Sequence, residues 1–421
     1  MTGMRLVSLV VLLATAGGFV ATAASVDAQV PMRRLVYVRD TAFALDAGTR
    51  GQVAILVARD GRIVVSPNYF YSELSQLDSS GKKLPWAVKL GRGRDAEIGW
   101  VNAWGWRGDS VWVGDPLYEQ VALIGSDGKI ARSIAYPSWI RPSWSDRRRY
   151  PLFSRMTWYA MYGDGTLLVQ PGAPRRLFDT PGYDPDRNLL LRVDRDGRIL
   201  RTIATTPIME GRLQLRSGTE RRMVIVPFYP RVVWKAGDDG QRVAVVAPVA
   251  SDSGAFMITA LSDQGDTVFS RRYAVAAWRV VRATADSFLT RVQAFGRYSV
   301  QQVRDTIAKQ MPAFYSPVQG VSIGLDHSTW VSIRRPGVAA SGAAATEWFV
   351  VDSAGEPIGI ASFPKTLRPS AVSLDRLWAV EIDRVKQRSA IVRYRRTDAR
   401  GAPPARTARA SASASPARPR E

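Results

Sequence analysis

Five times along this chain an aspartate is followed by a short apolar strand. The instances are Asp60-Gly61-Arg62-Ile63-Val64-Val65, Asp109-Ser110-Val111-Trp112-Val113, Asp164-Gly165-Thr166-Leu167-Leu168-Val169, Asp326-His327-Ser328-Thr329-Trp330-Val331 and Asp375-Arg376-Leu377-Trp378-Ala379-Val380. A looser copy is Asp239-Gly240-Gln241-Arg242-Val243-Ala244-Val245. Tight hairpins need positive φ, which Gly reaches freely and Asp tolerates, and the Asp carboxylate accepts from nearby backbone amides. The aspartates therefore read as turn punctuation between short antiparallel strands, ahead of any role as calcium ligands or acids.

A second polar turn follows most copies: Gly81, Asp127-Gly128, Asp196-Gly197, Gly265 and Gly355. Strand, Asp turn, strand, connection, strand, Gly turn, strand is thus a unit of about 40 to 50 residues, and such units repeated around a ring make a β-propeller. Six units are expected, at 51–91, 95–136, 150–204, 230–274, 318–363 and 368–396. The last has only three strands. The strand-forming run from Arg34 to Asp40 has no partner nearby in sequence and is expected to supply the fourth, closing an all-β, six-bladed ring that leaves no free edge. Residues 275–317 do not fit the unit. Their centre, Ser299 to Met311, has apolar residues at helical spacing, a capping box of Ser299 with Gln302 and a stop at Pro312, which predicts one inserted amphipathic helix. A rival count reads Asp286-Ser287-Phe288-Leu289 as a degenerate seventh blade. Further insertions are expected at Pro137 to Tyr150, Phe178 to Arg187 and Ile208 to Arg222.

The second unit carries a resemblance. Leu90-Gly91-Arg92-Gly93 leading through Glu97-Ile98 to Asp109-Ser110-Val111-Trp112-Val113-Gly114-Asp115, then Val121-Ala122-Leu123 and Asp127-Gly128-Lys129, is similar to the repeat of NHL-type six-bladed propellers. Ile98 stands where that repeat has Phe, and Gln120-Val121 where it has Arg-Ile. The stretches Asp326 to Trp330, Glu347 to Gly355 and Leu377 to Tyr394 resemble the last blades of uncharacterised exported bacterial propellers. The resemblance spans most of 50–396. Its motifs are structural, so it implies a fold and, by analogy only, a binding role.

The termini bound where the protein works. Arg5, the apolar stretch Leu6 to Ala16 and the small residues after it have the layout of a secretory signal peptide at 1–28, cleaved after Ala28, or after Ala23 as second choice. An exported protein, periplasmic or extracellular, is expected, with the propeller at 33–396. An uncleaved anchor is the alternative, though the apolar run is shorter than the ~20 residues that span a bilayer. The chain has no cysteine, so no disulfide or thiolate metal site can hold it. The net charge of +21 comes from 58 basic residues, of which 50 are Arg, a skew that coding bias produces. Export makes nucleic acid an unsuitable partner and anionic envelope surfaces the physically sensible target. The Arg/Ala/Ser/Pro tail at 397–421 cannot bury a core.

Catalytic constellations are sparse. His327 is the only histidine and occupies the turn position of Gly61 and Gly165, so it reads as a turn substituent. Asp326 to Trp330 is one defective copy of a sialidase Asp box. Asn68, Asn102 and Asn188 share no repeat position, which argues against a lactonase-type calcium site. No catalytic residue, metal or cofactor is assigned. The candidate partner-binding residues are Trp139, Arg141, Trp144, Arg147, Arg148 and Tyr150, an aromatic and Arg-rich loop suited to stacking and to gripping carboxylates. The expected function is a monomeric, non-catalytic exported propeller that binds a protein, peptide or glycan through one face. The alternative is a carboxylate- or metal-dependent hydrolase or lyase of the lactonase-like type.

Overall fold

The computed structural model describes residues 32–397 apart from 47–52, 68–72, 92–95, 116, 136–155, 172–186, 208–210, 219, 250–253, 334–344, 384 and 386–387. The N-terminal strands are β1 (Arg34–Leu35) and β2 (Tyr37–Asp46). Blade 1 is β3 (Val53–Val57), β4 (Ile63–Pro67), β5 (Glu73–Leu77) and β6 (Lys83–Lys89). Blade 2 is β7 (Ala103–Arg107), β8 (Ser110–Asp115), β9 (Gln120–Ile124) and β10 (Ile130–Ala135). Blade 3 is β11 (Met156–Met161), β12 (Leu167–Pro171), β13 (Arg187–Val193) and β14 (Ile199–Pro207). A hairpin of β15 (Arg212–Ser217) and β16 (Glu220–Ile225) then precedes blade 4, which is β17 (Val233–Ala236), β18 (Arg242–Pro248), β19 (Ala255–Ser262) and β20 (Thr267–Ala274). Helices α1 (Arg282–Leu289) and α2 (Val300–Gln310) separate it from blade 5, β21 (Val318–Ile323), β22 (Thr329–Ile333), β23 (Ala345–Val351) and β24 (Pro357–Pro364). Blade 6 is β25 (Leu367–Val372), β26 (Arg376–Asp383), β27 (Arg388–Arg396) and, antiparallel to β27, β2.

The six expected units are the six blades. The first strands of neighbouring blades touch one another, as β3 does β25, β7 does β11 and β17 does β21, which places them around the axis. Because strands alternate in direction, the tight Asp turns and the Gly turns share one face of the ring, and the long connections between blades share the other. Side chains on one blade bond the turn backbone of the next. Trp86 Nε1 donates to Gly125 O at 2.9 Å, Arg107 Nη2 to Gly163 O at 2.9 Å, and Tyr273 Oη to Gly355 O at 2.6 Å. Arg192 and Arg393, both on third strands, do the same to Asp263 O and Ser79 O. Between the sheets lie apolar layers in which Trp112, Trp330, Phe256 and Phe349 are fully buried.

The N-terminal segment pairs with two blades, not one. Tyr37–Arg39 and Ala44–Asp46 pair with β27, while Arg34 and Leu35 run parallel to Ile360 and Ala361 of blade 5. Gly359 permits this approach: its φ is +152°, and a Cβ there would lie 2.2 Å from Arg33 O. The ends meet through charge as well as backbone. Arg393 donates to Asp40 Oδ2 through Nε at 2.9 Å and Nη2 at 2.7 Å, and Arg395 Nε adds a third bond at 2.8 Å.

The insertion before blade 5 holds two helices, not one. α2 has the predicted capping box of Ser299 and Gln302. The segment Asp286 to Leu289, the rival seventh blade, is helical in α1, where Phe288 and Leu289 continue the helical spacing of Val281, Ala285 and Val292. The expected insertion at Ile208 to Arg222 is the hairpin β15–β16. It meets the helices, since Leu215 packs with Val303 and Ile307 as a small satellite core.

Candidate functional site

The tight turns work as the sequence chemistry requires. Asp78 Oδ1 accepts from Ser80 N and Lys82 N, Asp164 from Thr166 N, Asp326 from Ser328 N and Asp352 from Ala354 N, at 2.8 to 3.1 Å. His327 sits in its turn at φ +64°, where Gly61, Gly165 and Gly240 have +91°, +85° and +72°. The expected turn role of this lone histidine therefore holds, and the same turn gives its ring a second place.

Five first turns open onto a cavity of about 930 Å³ at the axis of the tight-turn face. Its centre is asymmetric, because the turn Gly237–Gly240 of blade 4 reaches across the ring. Trp106 N of blade 2 donates to Asp238 O at 2.9 Å, and Gly240 lies against Ala160 and Tyr162 of blade 3. From blade 1, Arg59 Nη2 donates to Asp239 Oδ2 at 2.8 Å and approaches His327 Nε2 of blade 5 at 2.8 Å. His327 Nε2 also lies 3.2 Å from Asp239 Oδ2. Guanidinium only donates and carboxylate only accepts, so these two contacts of Nε2 are alternatives. With Nδ1 alone carrying the ring proton, Nε2 accepts from Arg59 and its lone pair is occupied. With Nε2 carrying the proton, it donates to Asp239 instead.

Two adjacent carboxyls differ in environment. Burial raises the pKa of Asp238, with Lys235 opposing and Asp239 adding to the rise. Burial acts in the same direction on Asp239, but the His327 contact, the Gln241 amide and Arg59 outweigh it and hold that carboxyl below the usual range. Nearby Arg242 has a buried Nη1 without a partner, and burial works against its charge. Tyr162 Oη and Trp106 Nε1 are also buried without partners along this cavity. Burial pushes the Tyr162 hydroxyl well above its ordinary value. The other cations of the wall are committed. Arg62 bonds Asp60 and Asp109, and Arg192 bonds Asp164 at 2.6 Å beneath the rim. Among the described residues, no three His, Asp or Glu side chains converge as metal ligands.

The predicted loop residues Trp139, Arg141, Trp144, Arg147, Arg148 and Tyr150 lie outside the described residues. Their flanking strand ends, Ala135 and Met156, are on the face opposite the cavity. The residues that sequence reasoning left unassigned, Arg59, Asp238, Asp239 and Arg242, had one available signal. The fourth turn, Gly237-Asp238-Asp239-Gly240, carries an aspartate more than its copies.

No family model and no curated protein matches the chain. Solved structures do match in fold. The chain is similar to a member of the DUF4221 family from Bacteroides vulgatus, at 10% identity over 86% of this chain and 98% of that one, with a TM-score of 0.39. It is likewise similar to an exported protein from Bacteroides fragilis, at 11% identity over 86% and 94% with a TM-score of 0.40. A third is BamB from Moraxella catarrhalis, at 13% identity over 86% and 100% with a TM-score of 0.29. The chain is a six-bladed β-propeller. None of these likenesses bears on its ligand, and no helix among the described residues is long and apolar enough to cross a membrane.

Proposed function

We propose that this chain is an exported, non-catalytic binding propeller whose cavity on the tight-turn face takes a ligand bearing both a carboxylate and an amine or amide, such as a peptide segment. The observation that supports the reading is the buried, unpartnered Nη1 of Arg242 on the same cavity wall as the Asp238 carboxyl. Arg242 has a buried donor without an acceptor, and burial disfavours the charge of the half-buried Asp238 carboxyl. Leaving the buried Arg242 donor unmet costs about 1–3 kcal/mol, which a ligand carboxylate recovers, while a ligand amine or amide would meet Asp238. Tyr162 Oη and Trp106 Nε1 would then accept or donate further bonds. A neutral glycan fits less well, because the two tryptophan and tyrosine rings of the wall are buried and offer no stacking face. Arg59 and His327 stand over the mouth as the groups that a ligand must pass.

Thermal-shift screening of dipeptides and acidic monosaccharides checks the proposal. At least one dipeptide is expected to raise the melting temperature of the wild type, and Arg242→Ala and Asp238→Asn are each expected to abolish that rise. Hits confined to sugars, or hits unchanged in both variants, would overturn it.

One observation favours a second reading, a carboxylate-dependent hydrolase. The neighbouring Asp238 and Asp239 are pushed in opposite directions, the pattern of a general acid beside a carboxylate. Loss of a measured hydrolytic rate in Asp238→Asn with ligand affinity unchanged would select this reading. The envelope attachment expected of the 397–421 tail is a separate proposal, read out as salt-sensitive binding lost on deletion of the tail.

A further inference from the structure

The face opposite the cavity carries a second unusual surface. There the β15–β16 hairpin and the helices α1 and α2 share one small core, although blade 4 separates them in sequence. Phe228 holds the two pieces together, its ring 5.0 Å from both Phe288 and Tyr315. Its φ of +62° is unfavourable for a bulky residue, so the aromatic packing fixes a strained backbone in place. Tyr315 N in turn donates to Trp278 O at 2.9 Å.

Around this aromatic centre, large apolar side chains face solvent. Ile225 is 56% exposed, Trp278 41%, Val281 56% and Phe288 44%, and α1 buries no residue at all. The same insert is basic: residues 275–317 hold six Arg and Lys against two Asp. Arg216, Arg222, Arg279, Arg282, Arg291 and Arg297 are all exposed, with Asp286, Asp305 and the hairpin's Glu220 the acids in these segments. Apolar and aromatic side chains standing among arginines match the layered chemistry of an anionic bilayer surface, where phosphates lie above acyl chains. A protein partner of ordinary surface composition would leave most of this charge unpaired.

We propose that this insert docks the propeller onto an anionic phospholipid surface, with Trp278, Val281 and Phe288 entering the headgroup layer and the arginines meeting lipid phosphates. Such docking turns the opposite, cavity-bearing face toward the aqueous side, where a ligand is free to enter. The inference stands on the insert alone and does not depend on what the cavity holds.

Co-sedimentation of the full chain with vesicles tests it. Binding is expected to vesicles of phosphatidylcholine with phosphatidylglycerol, and not to phosphatidylcholine alone. The double variant Arg282→Glu/Arg297→Glu is expected to weaken binding by more than about tenfold, since each surface cation contributes about fivefold. Trp278→Ala is expected to weaken it by about fivefold and to remove the blue shift of tryptophan emission on binding. Both variants change exposed side chains, and an unaltered melting temperature verifies that they fold. Deletion of 397–421 is expected to leave the effects of both variants in place. Failure of the wild type to bind, binding unaffected by both variants, or binding abolished by the tail deletion alone would each overturn the proposal.

Discussion

Replacing Arg393 by Met tests whether the two ends of the chain lock the ring. Arg393 and Asp40 are each about one-tenth exposed. The guanidinium makes two bonds to Asp40 Oδ2 and one to Ser79 O of blade 1, and it lies 4.6 Å over the ring of Phe43. Met keeps the stem packed against Phe43 and removes all three bonds. Removing one partner of a buried pair costs about 3–5 kcal/mol. Arg395 survives as a partner of Asp40 but is 57% exposed, and exposed pairs return only about 0–1 kcal/mol. The net loss is therefore about 2–5 kcal/mol. The pH dependence has a definite sign. Arg393, against the opposing effect of burial and with help from Arg395, holds the Asp40 carboxyl below its usual range. A depressed folded pKa contributes stability above the unfolded value, near pH ~4, and loses it as pH falls through the folded value. The gap between wild type and variant should thus be widest at neutral pH and close in acid. Urea unfolding followed by circular dichroism and tryptophan emission measures it. In a double-mutant cycle with Asp40→Asn, the paired variant should lose less than the sum of the singles by about 0.5–3 kcal/mol. A loss under about 1 kcal/mol, or strict additivity, would refute the reasoning.

Other expectations follow from single sites. Asp115 is fully buried and accepts from the amides of Gly99, Trp100, Leu117 and Tyr118, so Asp115→Ala should cost about 2–4 kcal/mol, read as a lowered urea midpoint. His327→Gly relieves a left-handed backbone, and stability should stay within about 1 kcal/mol of wild type while the cavity mouth opens. A larger loss in calorimetry would mean that the ring's contacts with Arg59 and Asp239 hold blades together.

The blades were legible because each is a local object. Alternation, an Asp turn and a Gly turn fall within about 45 residues, and the backbone follows them almost to the residue in blades 4 and 5. The capping box of α2 was legible for the same reason. What the sequence concealed is non-local. Nothing in Arg34-Leu35 announces that they leave the rest of the strand to pair with Ile360 and Ala361, since that choice depends on the space above Gly359. Nor could spacing reveal that the hairpin at 212–225 and the helices at 282–310 share a core. The site shows the limit most clearly. His327 as a turn residue was readable from its repeat position, but its approach to Arg59 spans 268 residues of sequence and arises only when the ring closes.

The most direct test of the central claim is crystallographic. A dipeptide that raises the melting temperature, soaked into crystals of the protein, is expected to show density in the cavity of the tight-turn face, bridging the Arg242 guanidinium and the Asp238 carboxyl. Density on the opposite face, over the connections between blades, with the cavity unchanged would contradict it.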